Sequence, residues 1–178
     1  MAVKDKIVIV FGSSRAKSDS ETYNKAYETG KLLAEAGFIV CNGGYAGVME
    51  ASAKGAKQAL GKTIGITTDA FKDPKVNEWI DQEIRTQNYI ERLQKMVDLA
   101  NAFIILKGGI GTLSELSIIW CLNVIGEIRK PVILVGDSWE KVIKEMTRRL
   151  IISPQEMLAL TMVREPKSAV EILKRIFY

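Results

Sequence analysis

Histidine is absent from the 178 residues of this chain. Its absence excludes Ser-His-Asp triads, Cys-His pairs and the HExxH class of metal sites. The two cysteines, Cys41 and Cys121, are too few for a disulfide framework and too far apart for a zinc motif. No apolar run is long enough to span a membrane. We therefore expect a cytoplasmic protein that has neither a metal site nor a membrane partner.

The chain also lacks any dense cluster of basic or acidic residues. The chain has 25 basic and 21 acidic residues, for a net charge of +4, and 47% of its residues are hydrophobic. This composition is typical of a globular protein, and the length suits one domain, residues 1–178. A small basic excess without a Lys/Arg cluster favours a small anionic ligand over a nucleic acid.

The most informative stretch is residues 103–120, FIILKGGIGTLSELSIIW. Residues 102–106 have the length and branching of a buried strand, and an apolar helical pattern starts near residue 112. Glycines between a strand and a helix let backbone N–H groups approach an anion, and the helix N-terminus adds unpaired donors and partial positive charge. We predict that a phosphorylated ligand binds at Gly108, Gly109, Gly111 and Thr112. A tight turn without a ligand is the alternative.

Two other turns follow predicted strands. The strand at residues 6–11 ends at Gly12, Ser13 and Ser14, although the spacing is not the GxGxxG of dinucleotide-binding folds. The strand at residues 38–41 precedes a glycine turn and a helix at 48–60, where the candidate contacts are Gly43, Gly44, Gly47 and Met49. Tyr45 in this turn is a candidate for stacking on a base, or simply a loop-edge aromatic residue. A doubly wound sheet would place all three turns at one crevice. The predicted fold is a Rossmann-like α/β three-layer sandwich with a parallel sheet.

The rest of the chain contributes helices, short strands and one irregular segment. Residues 68–78, which contain Pro74, are the least regular and form a candidate lid or specificity loop. The helix at 89–100 turns its apolar stripe inward, with Arg92 off that stripe. The helix at 112–126 is apolar nearly all round, so we expect one of its sides to pack on a second copy of the chain. A homodimer is expected, with a higher homo-oligomer as the alternative.

Several capping boxes are also predicted. The pattern occurs at residues 112–115, at 137–140 and at 153–156, the last with Pro154 at the first helical position. In the first of these, Glu115 would hydrogen-bond the start of its own helix. That structural role is the alternative to any role of Glu115 in binding or catalysis.

Four segments together resemble the LOG family, the cytokinin riboside 5′-monophosphate phosphoribohydrolases. KGGIGTLSE is similar to the PGGxGTxxE signature of that family, and FGSS, NGGYAGVME and NYIERLQKM resemble three of its other segments. Three positions differ, because Lys107 replaces a Pro, Asn42 a Gly and Leu93 a Lys. The GVMEASAKGA stretch is closer to the related molybdenum-cofactor carriers, which bind their ligand without hydrolysing it.

The resemblance implies that the chain hydrolyses the N-glycosidic bond of a nucleoside 5′-monophosphate, releasing free base and ribose 5-phosphate without a metal or redox cofactor. It also implies Arg92 and Glu115 as the catalytic pair. On spacing alone, Glu115 lies one helical turn past the glycine turn and could reach the sugar, whereas Arg92 could be a solvated residue on a helix flank. Lys107 is interpreted as a phosphate contact. The alternative function is a non-catalytic carrier of a nucleotide or another phosphorylated ligand.

Overall fold

A parallel sheet of seven strands runs through the part of the chain that the structure describes. A computed structural model describes residues 6–71 and 75–178, so the predicted loop position Pro74 lies outside the described residues. The sheet has the order β4-β3-β2-β1-β5-β6-β7, and every neighbouring pair is parallel. The strands are β1 (Ile7–Phe11), β2 (Ile39–Asn42), β3 (Thr63–Thr68), β4 (Gln82–Thr86), β5 (Ala102–Ile105), β6 (Val132–Val135) and β7 (Thr161–Val163).

Helices cover both faces of this sheet. They are α1 (Glu21–Glu35), α2 (Val48–Gln58), α3 (Tyr89–Leu99), α4 (Ile110–Val124), α5 (Asp137–Arg149), α6 (Pro154–Met157) and α7 (Pro166–Phe177). One hydrophobic core joins α1, α2 and α7 to one side of the strands, and a second joins α3, α4 and α5 to the other side. Successive strand residues alternate between the two cores; Val8 and Val10 lie in one, Ile9 and Phe11 in the other. The predicted three-layer Rossmann-like sandwich is therefore confirmed.

The strand order reverses between β1 and β5. From β1 the chain proceeds outward through β2, β3 and β4, and then returns to place β5 on the other side of β1. In open α/β sheets the ligand crevice lies outside the carboxyl ends of the strands at such a switch point. The turns after β1, β2 and β5 all emerge at this edge.

Two of the three predicted capping boxes are wrong. Helix α4 begins at Ile110 with Gly109 as its N-cap residue, and α5 begins at Asp137 after Gly136; neither cap has a side-chain hydrogen bond. In both places a glycine is the N-cap, and the helix begins earlier than the Ser/Thr/Asp pattern suggests. The box of Ser153 and Glu156 is confirmed, with both reciprocal hydrogen bonds present.

Candidate functional site

A cavity of about 510 Å³ opens at the switch point, between the N-termini of α3 and α4 and the turns after β1 and β2. Ten of the predicted candidate residues line it: Gly12, Ser13, Ser14, Tyr45, Met49, Arg92, Gly109, Gly111, Thr112 and Glu115. A cavity of about 560 Å³ at the far end of α4, near Asn123 and Lys130, contains none of them. The cavity at the switch point is therefore the candidate site.

The N-terminus of α4 forms one wall of this cavity. Gly109 caps the helix without a side-chain hydrogen bond, so no side-chain cap occupies the first backbone donors. Gly111 stands in the first turn, and a Cβ at that position would meet no protein atom within 4 Å. The surrounding protein therefore gives no steric reason for glycine there, whereas a ligand approaching the backbone would give one.

Packing within the turn between β5 and α4 explains why Gly108 is a glycine. A Cβ at Gly108 would collide with the side chain of Thr112, which is itself buried. Gly108 does not line the cavity, so its geometry agrees with the tight-turn interpretation. Lys107 is exposed and also lies outside the cavity lining; its carbonyl oxygen accepts a hydrogen bond from Ser13 N at 3.1 Å. A phosphate contact by either residue stays a prediction.

The glycines after β2 shape the cavity wall without lining it. A Cβ at Gly43 would overlap Arg92 Nη2 and lie 2.6 Å from Met49 Sδ, so glycine makes room for the guanidinium. Gly44 and Gly47 have φ of +78° and +70°, a backbone conformation that residues other than glycine rarely adopt. Ligand contacts by these three glycines stay predictions.

Asn42 and the β1 turn hold this wall in place. Asn42 Oδ1 accepts from Gly44 N at 2.8 Å, and its Nδ2 donates to Met49 O at 2.9 Å. This residue replaces a glycine of the LOG pattern, and here its buried side chain ties the turn to α2. The amide of Val48 donates to Ser13 O at 2.9 Å, which joins the β2 turn to the β1 turn.

Arg92 is buried, with 5% of its surface exposed, so the expectation that it lies off the inward stripe of α3 was wrong. Its Nε donates to Ile66 O at 2.7 Å, which anchors the guanidinium to β3. The guanidinium carbon lies 5.4 Å from the ring centre of Tyr45 and 5.8 Å from that of Phe71, within reach for cation–π attraction. The first turn of α3 extends past the hydrophobic core to the crevice, so its inner face carries a charge there.

Glu115 is half-buried in the second turn of α4, and its predicted capping role is wrong because the helix begins at Ile110. Burial raises the pKa of Glu115 from its usual 4.5 to about 8, and the positive charge of Arg92 acts in the opposite direction. Burial also lowers the pKa of Arg92, with Glu115 the largest opposing influence. Burial therefore favours the protonated form of the Glu115 carboxyl in the free protein.

The cavity also contains residues that sequence reasoning did not assign to a ligand: Arg15, Phe71, Tyr89 and Ile110. Arg15 directly follows Ser14, and its Nη2 would lie 3.4 Å from a Cβ at Gly109, so it reaches toward the glycine turn. Its position in the turn after β1 could have marked Arg15 as a candidate ligand contact. Tyr89 was expected only as part of the apolar stripe, and Phe71 lies in a segment without any periodic pattern.

Two functional features are absent from the part of the chain that the structure describes. No three His, Cys, Asp or Glu side chains in residues 6–71 and 75–178 are grouped so as to hold a metal ion. No helix in the same residues combines the length and the apolar character needed to cross a bilayer.

Fold and crevice together define a Rossmann-like α/β protein with its candidate site at the switch point. The model of the SLOG cluster4 family matches residues 5–169, and the chain belongs to that family. The resemblance to LOG proteins is confirmed: a cytokinin riboside 5′-monophosphate phosphoribohydrolase of Mycobacterium tuberculosis is 34% identical over 122 residues. That alignment covers 67% of this chain and 65% of the mycobacterial protein.

Solved structures add a second relationship. The molybdenum cofactor binding protein from the phototrophic bacterium Rippkaea orientalis is 27% identical, with a TM-score of 0.77, and the alignment covers 98% of both chains. DNA processing protein A from Helicobacter pylori, which has a single-stranded DNA binding mode, is 16% identical with a TM-score of 0.69. That alignment covers 97% of this chain and 82% of the other, and it shows the shared fold alone.

Proposed function

We propose that this protein hydrolyses the N-glycosidic bond of a nucleoside 5′-monophosphate and releases the free base and ribose 5-phosphate. One observation carries the proposal: Arg92 and Glu115, two ionisable groups from different helices, share a cavity with the N-terminus of α4. Burying ionisable groups is costly, and perturbed groups gather at functional sites. The sequence similarity to two mycobacterial proteins named as phosphoribohydrolases supports the same reaction.

The phosphate is proposed to bind at the first turn of α4. Backbone N–H groups of residues 109–112 would donate to its oxygens, aided by the helix dipole. The open space around Gly111 supports close approach of an anion. Arg15 and Ser13 on the β1 turn line the same end of the cavity and would complete the anchor.

Glu115 is proposed to act as the acid and then the base of the reaction. Its pKa of about 8 supports a protonated carboxyl at neutral pH, able to donate a proton to the departing base as the C–N bond breaks. The carboxylate left behind would stabilise the oxocarbenium-like sugar. It would then accept a proton from the attacking water, whose oxygen bonds to the anomeric carbon. Arg92 would hold the sugar or the carboxylate in position.

A direct assay tests this function. Pure protein is incubated with AMP and related monophosphates, and free base is measured by chromatography. Base release should fall by a factor of at least about 100 in Glu115→Gln, the scale of lost general acid–base catalysis. Glu50→Gln is the matched control, because Glu50 lies in the first turn of α2, outside the cavity lining, and accepts a hydrogen bond from Tyr23 Oη at 3.2 Å. Base release that Glu115→Gln leaves intact would reject the mechanism.

The second candidate is a carrier of a phosphorylated ligand, either a nucleotide or the molybdenum cofactor. The similarity to the Rippkaea orientalis protein along nearly the whole chain favours it, as do Leu93 and Lys107, which depart from the LOG pattern. A carrier would bind nucleotide or cofactor tightly and release no base. In that case Glu115→Gln would leave the chemistry unchanged, since there is none to lose.

We also propose a homodimer, with the α4 side of the molecule as its interface. Ile110, Val124 and Ile125 are large apolar residues that are 83%, 40% and 59% exposed. Ile118 and Leu122 of the same helix already pack on the core of one chain, so the free apolar surface is smaller than the sequence pattern suggests. Sedimentation velocity should give a dimer for the unmodified chain and a monomer for Ile125→Glu.

A further inference from the structure

Tyr89 lines the cavity from the start of α3. It is the first residue of α3, directly after the N-cap Asn88. Asn88 Oδ1 accepts from Glu91 N at 2.9 Å, and Glu91 Oε2 accepts from Gln87 N at 2.8 Å. These two hydrogen bonds fix the backbone on both sides of Tyr89.

The hydroxyl of Tyr89 is buried and has no hydrogen-bond partner among the described residues. Trp139 Nε1 is in the same condition, but it does not line the cavity. Tyr45 provides a contrast within the cavity: its hydroxyl donates to Thr68 O at 3.1 Å and accepts from Thr68 N at 2.8 Å. Buried polar groups are nearly always paired, so an unpaired hydroxyl on a residue that lines the cavity points to a partner supplied by the ligand.

The position of Tyr89 selects which part of a ligand it can meet. Tyr89 and Arg92 lie three residues apart on one face of α3, and both line the cavity together with the glycine turn that begins α4. A phosphate at α4 would leave its sugar in the space between the two helices, beside Glu115. The Tyr89 hydroxyl can both donate and accept a hydrogen bond, as a ribose hydroxyl can.

We propose that the Tyr89 hydroxyl hydrogen-bonds a ribose hydroxyl of the bound nucleoside monophosphate and makes the site select ribonucleotides over deoxyribonucleotides. This inference rests on the proposed binding of a nucleoside monophosphate. It adds a specificity-determining residue that lies outside the catalytic pair. A deoxy ligand would leave the buried hydroxyl unpaired, and sites built to bind a hydroxyl reject analogues that lack it.

Binding of AMP, 2′-deoxy-AMP and 3′-deoxy-AMP is to be measured by calorimetry in a Glu115→Gln background, so that no nucleotide is consumed. With Tyr89 present, at least one deoxy analogue should bind about tenfold more weakly than AMP, the scale of one hydrogen bond plus an unpaired partner. In the added presence of Tyr89→Phe that difference should shrink to about twofold or less, chiefly because AMP loses affinity.

Tyr45→Phe is the matched control, because it removes a hydroxyl that the protein itself pairs. Without ligand, Tyr45→Phe should lower the melting temperature, whereas Tyr89→Phe should leave it unchanged or raise it. A preference for ribose that survives Tyr89→Phe would overturn the inference while leaving the proposed function intact. A destabilisation by Tyr89→Phe as large as that of Tyr45→Phe would overturn it too. Failure of the parent protein to bind any nucleoside monophosphate would remove both proposals together.

Discussion

Replacing Glu115 by Gln should stabilise the free protein, increasingly so as the pH rises from 5 to 8. The folded pKa of about 8 lies above the unfolded value of 4.5, so the folded state binds more protons than the unfolded state within this window. Each rise of one pH unit in this window therefore lowers the free energy of unfolding of the unmodified protein by up to about 1.36 kcal/mol. Glutamine resembles the protonated carboxyl and carries no such cost.

The size of the effect follows from the same two pKa values. Between pH 4.5 and pH 7 the cost accumulates to at most about 3 kcal/mol, reduced by any water that reaches the half-buried carboxylate. For a chain of this length about 3 kcal/mol corresponds to roughly 6–12 °C in melting temperature. Near pH 5 the two proteins should melt within a degree or two of each other.

Thermal melts at pH 5, 6, 7 and 8, with ionic strength held constant, measure this difference. Glu50→Gln serves as the control for the loss of a carboxylate elsewhere, because Glu50 lies outside the cavity lining. Parallel curves for Glu115→Gln and the unmodified protein across the whole range would refute the reasoning. The Glu115 carboxyl would then ionise as in water, and its role as a proton donor would be lost.

Three further predictions concern the walls of the cavity and its chemistry. Gly43→Ala should keep the fold by circular dichroism yet lower base release about 100-fold, because its Cβ would displace the Arg92 guanidinium; normal activity would show that this placement is unimportant. Gly111→Ala should stabilise the free protein by about 0.5–1 kcal/mol but weaken phosphate binding measured by calorimetry. Gly108→Ala should instead destabilise the free protein, because its Cβ would collide with the side chain of Thr112. Unchanged phosphate affinity in Gly111→Ala would argue against the anion site. The pH profile of kcat/KM should fall above about pH 8 as Glu115 loses its proton, and a rise there would indicate that the carboxylate is the active form.

The fold could be predicted because its signals are local and repeated. Short apolar strands alternate with helical patterns, and parallel strands place their following turns at one edge, so three separate turns could be expected to meet. Gly109, Ser13 and Tyr45 come from three such turns and line one cavity. The same logic does not say where along the edge the chain reverses, which depends on the pairing of β1 with β5.

Side chains at the ends of helices were the hardest to predict. Periodicity assigns one inward face to α3, but it does not tell which turn of that face meets the core and which meets the crevice, so the burial of Arg92 was missed. The Thr112–Glu115 spacing fits a capping box, yet Gly109 begins the helix earlier. The unpaired hydroxyl of Tyr89 depends on neighbours far along the chain, and no local pattern indicates it.

The central claim concerns how a nucleotide would lie between α3 and α4. A crystal structure of the Glu115→Gln variant with AMP tests it most directly. We predict the phosphate on the backbone amides of residues 109–112, with the sugar between Arg92 and position 115. A nucleotide bound elsewhere, or a phosphate turned away from the N-terminus of α4, would contradict the account.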